Sequence, residues 1–261
     1  MFAVAWKEWH EFKSGIRLYL VLILSLLPAA SIAVILEFIA AENETSEILR
    51  DPEVLFNLNF IFMLQLWYVV SLMLSVDIMS NENELGTLSL LLTKPLSESD
   101  IVFGKFLTLT GILSVISFIP PVLLDLMIEI ELGESVSFWY VIFAGLVALF
   151  FNATVVAITI AFSSLTKRAF VSAIGTSMFF VITVAIIPII NFLYLEKEWL
   201  DYFSIVENSI FYMFEVYVFT RTEITFELAQ GLMRAFIQLN IMALFLILTI
   251  QILKMRRAGG L

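Results

Sequence analysis

An all-α integral membrane protein with six transmembrane helices is the fold class the sequence predicts, and three observations predict it. Hydrophobic residues make up 61% of the 261-residue chain and charged residues only 15%, with a mean hydropathy of +1.00. That is too apolar for a soluble domain. The apolar residues gather into six runs: Leu18 to Ala40, Asn57 to Met79, Ile101 to Met127, Phe138 to Phe162, Phe170 to Tyr194 and Met233 to Leu253. Each holds about 20 residues or more, enough for a helix rising ~1.5 Å per residue to cross ~30 Å of hydrocarbon. Between the second and third runs lies a patterned, water-compatible stretch from Asn81 to Lys105, NENELGTLSLLLTKPLSESDIVFGK. The whole of 1–261 reads as one transmembrane domain.

The first element is amphipathic. Phe2, Trp6, Trp9 and Phe12 recur at spacings of three or four, with Lys7, Glu8, His10, Glu11 and Lys13 on the other side. Residues 1–17 therefore read as an interfacial helix, with Trp6, Trp9 and Phe12 at the headgroup boundary. A signal sequence ending near Ala40 and Ala41 is the rival reading, but the apolar run before them exceeds the ~7–15 residues of a signal core. Basic residues set the orientation. With the N-terminus inside, the inner segments hold Lys7, Lys13, Arg17, Lys94, Lys105, Lys167, Arg168, Lys254, Arg256 and Arg257, leaving only Arg50, Lys197, Arg221 and Arg234 outside. Both termini are thus expected in the cytoplasm.

The polar stretch has its own grammar. Leu88, Leu91 and Leu92 recur at helical spacing after Glu82 and Glu84, whose charges suit the positive end of a short helix. Pro95 disfavours helical geometry at Lys94, so that helix should stop there. Ser97 and Asp100 then form a capping-box-like pattern opening the third run. A short helix with a leucine face needs either a protein groove or the lipid surface to cover it. Asp77, at the inner boundary, reads either as an anchor to a base such as Lys105 or as a solvated carboxylate.

The outer loops are acidic, with Glu42, Glu44, Glu47, Asp51 and Glu53 in the first and Glu129, Glu131 and Glu134 in the second. Such charge is read as a solvated rim before it is read as a cation collector. Residues 195–232 interleave aromatics with acids and are expected to form a shallow outer interfacial or re-entrant segment, since a seventh span would put Lys254, Arg256 and Arg257 outside. Polar residues inside the runs must find a partner or face water. Gln65, Ser71, Asn152, Thr159, Thr176, Ser177, Thr183, Asn191, Gln238 and Asn240 are of this kind, and bonding between helices is their commoner role. The Pro120 and Pro121 pair is expected to break the third helix.

Several function classes fall away. A net charge of −10 with no clustered basic surface argues against nucleic acid. The chain has no cysteine and a single histidine, so neither a thiolate nor a multi-histidine metal site is expected. Gly104-Lys105 lacks the spacing of a phosphate-binding loop, so ATP hydrolysis is not expected here. Glu84, Gly86-Thr87-Leu88, the leucines to Leu92, Pro95 and Gly104-Lys105 resemble the pattern of type 2 ABC exporter permeases, and most of all the permease of the nitrous oxide reductase maturation transporter. The resemblance implies that residues 80–100 are a cytoplasmic coupling helix docked on a separate ATP-hydrolysing subunit. Its docking residues would be Glu84, Gly86, Thr87, Leu88, Leu91, Leu92 and Pro95, with Lys167 and Arg168 making a smaller contact. It also implies export across the cell inner (plasma) membrane, two copies of the permease, two ATPase subunits carrying ATP and magnesium, and a path lined by Gln65, Thr176 and Thr183. The competing classes are a secondary transporter or channel driven by an ion gradient, which needs paired intramembrane charges and an inverted repeat, and an intramembrane enzyme, which needs convergent catalytic groups. Neither pattern stands out.

Overall fold

The computed structural model describes residues 2–13, 19, 23, 52–93, 96–183 and 228–259. Every regular element among them is a helix: α1 (Phe2–Lys13), α2 (Pro52–Ser75), α3 (Ser80–Glu84), α4 (Thr87–Thr93), α5 (Glu98–Leu132), α6 (Phe138–Leu165), α7 (Ala169–Val181) and α8 (Leu228–Arg257). Within α5, α6 and α8, the stretches Glu98–Ile130, Phe138–Leu165 and Ala235–Arg257 are long and apolar enough to cross a membrane. The second predicted run falls on α2, the fifth begins on the shorter apolar helix α7, and the sixth falls on α8. The first run, apart from Tyr19 and Ile23, lies outside the described residues, as do 184–227. Residues 228–232, at the end of the expected outer segment, are helical as the start of α8.

Helix α6 is the axis. It packs against α2, α5, α7 and α8, and every residue from Phe151 to Ala161 is buried. An all-round apolar helix is stable only when wrapped in this way. Two cores flank it. One gathers Phe56, Phe60, Trp67, Leu124, Ile128 and Phe151 toward the α5–α6 turn. The other gathers Val70, Leu74, Met79, Ile101, Leu113, Val156 and Leu253 toward α3 and α4. Between them Asn152 ties three helices: its Oδ1 accepts from Ser71 Oγ at 2.8 Å, and its Nδ2 donates to Ser117 Oγ at 2.8 Å. At Asn152 the role found is bonding between helices, whereas Asn59 Nδ2 donates to Leu55 O of its own helix.

Helix α5 runs unbroken through Pro120 and Pro121 for 35 residues, against the expected break. The prolines withdraw two amide donors from the helix ladder, but the turns on either side keep theirs and packing holds the axis. Its ends are defined chemically. Ser97 Oγ accepts from Asp100 N at 3.1 Å and the Ser97 N–H donates to Asp100 Oδ2 at 3.3 Å, completing the expected capping box. At the far end Gly133 takes the left-handed conformation (φ 73°), and Asp125 Oδ1 accepts from Val136 N at 2.8 Å, closing the turn into α6. Midway, a Cβ on Gly145 would lie 2.3 Å from Phe118 Cδ1, so glycine is what lets α5 and α6 approach.

Candidate functional site

The stretch between α2 and α5 is built differently from the sequence expectation. One leucine helix led by two glutamates was expected; two short helices form, joined at Gly86, whose φ of 71° favours a residue without a Cβ. Glu82 and Glu84 belong to α3, so they do not lead the leucine helix. Leu88 is only 2% exposed and packs with Val70, Leu74, Met79, Ile101 and Val102, while Leu91 and Leu92 lie half-buried against the same core. The chain itself covers Leu88 and part of Leu91 and Leu92. What remains outward is the bend: Glu84, Gly86 and Thr87 are exposed, and Leu85 is 68% exposed. Pro95 lies outside the described residues.

Four elements hold this unit from behind. At the end of α6, Ser163 Oγ accepts two backbone bonds, from Met79 N at 3.1 Å and Ser80 N at 2.8 Å. These are the first amides of α3, which have no carbonyl within their own helix to meet. Asn83 Nδ2 donates to Thr166 O at 2.9 Å, bringing α3 beside the α6–α7 turn where Lys167 and Arg168 stand exposed. The two expected contact regions are thus adjacent. From the end of α8, Arg256 donates to Asn83 Oδ1, and Arg257 pairs with Glu98 at 2.9 Å and donates to Leu96 O at 2.7 Å.

The fourth brace is a charged cluster. Lys105 is 1% exposed, yet carries a formal charge; its Nζ lies 2.5 Å from Glu8 Oε1, 3.1 Å from Glu82 Oε1 and 3.1 Å from Ile78 O. Lys7 meets the same Glu82 oxygen at 3.1 Å. A buried ammonium is tolerable only with such partners. Lys105 was considered as a partner for Asp77; it is held by Glu8, Glu82 and a backbone carbonyl instead. Helix α1 is held to the bundle through part of its charged side. Val4 is buried and Glu8 faces α5, while Trp6 is 69% and Trp9 43% exposed. The aromatic edge stays outward, as an interfacial helix requires, but part of the charged side faces protein rather than water. Phe12 lies in α1; its side chain is outside the described ones.

The expected path residues are less convergent. Thr176 Oγ1 donates to Ser172 O at 2.9 Å, and Thr183 Oγ1 to Phe179 O at 3.0 Å and Phe180 O at 3.2 Å, so both hydroxyls turn back on their own backbone. Gln65 lies in α2, with its side chain outside the described ones. Sequence reasoning missed Ser163 and gave Lys105 a different partner from the ones it has. The signal for Lys105 was available: Ile101, Lys105, Leu109 and Ile112 form one buried stripe of α5, where a lysine must have a partner.

Among curated proteins no match to the chain is found. The profile of the family described as ABC-2 family transporter protein matches residues 2–258. With the match running through every described helix, the chain belongs to the ABC-2 family of transporter proteins, as a membrane-embedded permease.

Proposed function

We propose that the chain is the permease half of an ABC exporter, paired with a second copy of itself and driven by two copies of a separate subunit that binds ATP and magnesium. The observation that carries this reading is the bracing of α3 and α4. A bend with an outward, exposed tip at Glu84 to Thr87 is fixed by α1, α5, α6 and α8 together. Force applied to that tip would reach four helices at once. An interfacial helix resting passively on lipid has no need of such fixtures. The adjacent Lys167 and Arg168 supply a second, basic contact beside the first.

In this mechanism closure of the ATPase pair pushes the tip, and the rigid α3–α4 unit passes the displacement to the spans, exchanging inward for outward access. The face offered to the motor is the α3–α4 bend rather than the leucine stripe, which the permease uses for its own packing. Both termini then lie in the cytoplasm of a cell whose inner membrane holds the protein. The narrower likeness to the permease of nitrous oxide reductase maturation is part of this proposal, checked by whether loss of the gene leaves that copper enzyme inactive.

The testing experiment is purification of tagged permease, wild type and Leu85→Glu, from its own cells, with any co-purifying nucleotide-binding subunit identified by mass spectrometry. Leu85 is exposed, so the charge should leave the fold intact while abolishing capture and transport-coupled ATP hydrolysis. Active transport by the solubilised and reconstituted permease with no ATPase present would overturn the reading.

A further inference from the structure

Asn83 stands in α3 next to the exposed Glu84, and its side-chain amide is used at both ends. Nδ2 donates to Thr166 O at 2.9 Å, and Oδ1 accepts from Arg256 Nη1. A backbone carbonyl only accepts and a guanidinium only donates, so one orientation of the amide serves both. No charged side chain could take its place. A carboxylate cannot donate to Thr166 O, and an ammonium cannot accept from Arg256. The neighbours in the chain give this bond its consequence. Glu84 and Leu85, which follow Asn83, are exposed at the bend, and Lys167 and Arg168, which follow Thr166, are exposed at the α6–α7 turn. On either side of one side-chain bond stands one of the two surfaces assigned to docking.

The rest of the unit is anchored elsewhere. Ser163 Oγ pins the start of α3 to α6 through Met79 N and Ser80 N, and buried Leu88 seats α4 against α2 and α5. These anchors remain without Asn83, so its loss spares the fold and frees the spacing between bend and turn. We propose that Asn83 is a positioning residue for docking: it holds the α3–α4 bend and the α6–α7 turn in one register, with the end of α8 locked to the same amide. The proposal rests on the docking role of the bend. Two contacts held at a fixed spacing engage a partner as one surface, whereas two that move independently must each be ordered on binding. Arg256 shows what asparagine preserves. Its Nε is buried without a hydrogen-bond partner, so the guanidinium has a further donor to offer a carboxylate. Aspartate at position 83 would pair with Arg256 through a full charge but give up Thr166; asparagine keeps both.

The test separates register from stability. Wild type, Asn83→Ala and Asn83→Asp are compared as full chains in detergent, with no ATPase present. Spin labels at Leu85→Cys and Lys167→Cys read the bend-to-turn spacing by pulsed EPR, in a chain with no cysteine of its own. Asn83→Asp should melt no lower than wild type, because it keeps Arg256; beside that cation its carboxylate stays ionised and cannot donate to Thr166 O. Asn83→Ala should melt lower. Both should turn the single narrow distance of wild type into a broad one, whereas a residue that acts through stability alone would leave Asn83→Asp with the wild-type distance. Expressed with a tag in their own cells and without the labels, both variants should retain at least about tenfold less nucleotide-binding subunit than wild type. A narrow distance in Asn83→Asp overturns the positioning role. A broad distance with undiminished capture overturns its link to docking. Failure of wild type to capture any such subunit overturns the docking reading itself, while the distances still decide whether Asn83 sets the register.

Discussion

The middle of the bundle and its α3–α4 end solve the same problem, joining helices through polar groups, with different chemistry. In the middle the joint is Ser71, Asn152 and Ser117, three neutral side chains that satisfy one another across α2, α6 and α5. At the end the joints are ions: Lys105 with Glu8 and Glu82, Arg257 with Glu98, and Arg256 against the Asn83 amide. Neutral amides and hydroxyls can be taken into hydrocarbon at modest cost, whereas a charge must be compensated almost completely. Near the headgroups that cost falls, and ions offer longer reach and stronger pairing. A neutral three-way bond positions helices, while an ionic cluster ties a separate element, α1, to the α3–α4 unit.

The contrast is tested most severely at Lys105. In Lys105→Met, Glu8 and Glu82 are left buried without their shared cation, a change expected to cost about 3–5 kcal/mol. Thermal unfolding of the solubilised chain would report it, and adding Glu82→Gln should restore part of the loss. If the single variant melts with wild type, the ions are ornaments and the comparison fails. Next comes Ser163→Ala, which strips two buried amides, Met79 N and Ser80 N, of their acceptor. It should cost roughly 1–3 kcal/mol and raise hydrogen exchange at those two positions more than elsewhere.

How much of this was visible in the sequence depends on whether the deciding force was local. The capping box at Ser97, the amphipathic α1 and the apolar runs over α2, α5, α6 and α8 are set by neighbours in the chain, and they were legible. The break at Gly86 was less so, because Glu82 through Leu92 fits one helix by periodicity and only the left-handed turn at Gly86 divides it. The fate of the leucines was not legible at all. A stripe at helical spacing says that a face will be covered; whether Val70 and Ile101 of the same chain or another protein covers it depends on packing distant in sequence. Lys105 fell between these cases, its spacing announcing burial but not naming Glu8, 97 residues away.

Two smaller effects sharpen the comparison from opposite sides. Asn152→Leu replaces the mid-bundle joint with a side chain that lipid tolerates, so the loss should be about 1 kcal/mol, the usual scale for a polar bond between membrane helices. A loss as large as that of Lys105→Met would mean that the neutral joint, not the ionic one, holds the bundle. Arg257→Gln should do least. Arg257 is 37% exposed beside Glu98, and a screened, partly wet pair is worth about 0.5 kcal/mol, while glutamine can still donate to Leu96 O. The discriminating readout is salt. Raising ionic strength from about 0.15 to 1 M shortens the screening length from about 8 to 3 Å, so wild type should lose the Arg257 increment and converge on the variant. Lys105, at 1% exposure, is shielded from those ions, and the gap between wild type and Lys105→Met should persist at high salt; if both gaps close together, the buried cluster is open to water and the distinction between the two kinds of ion pair disappears.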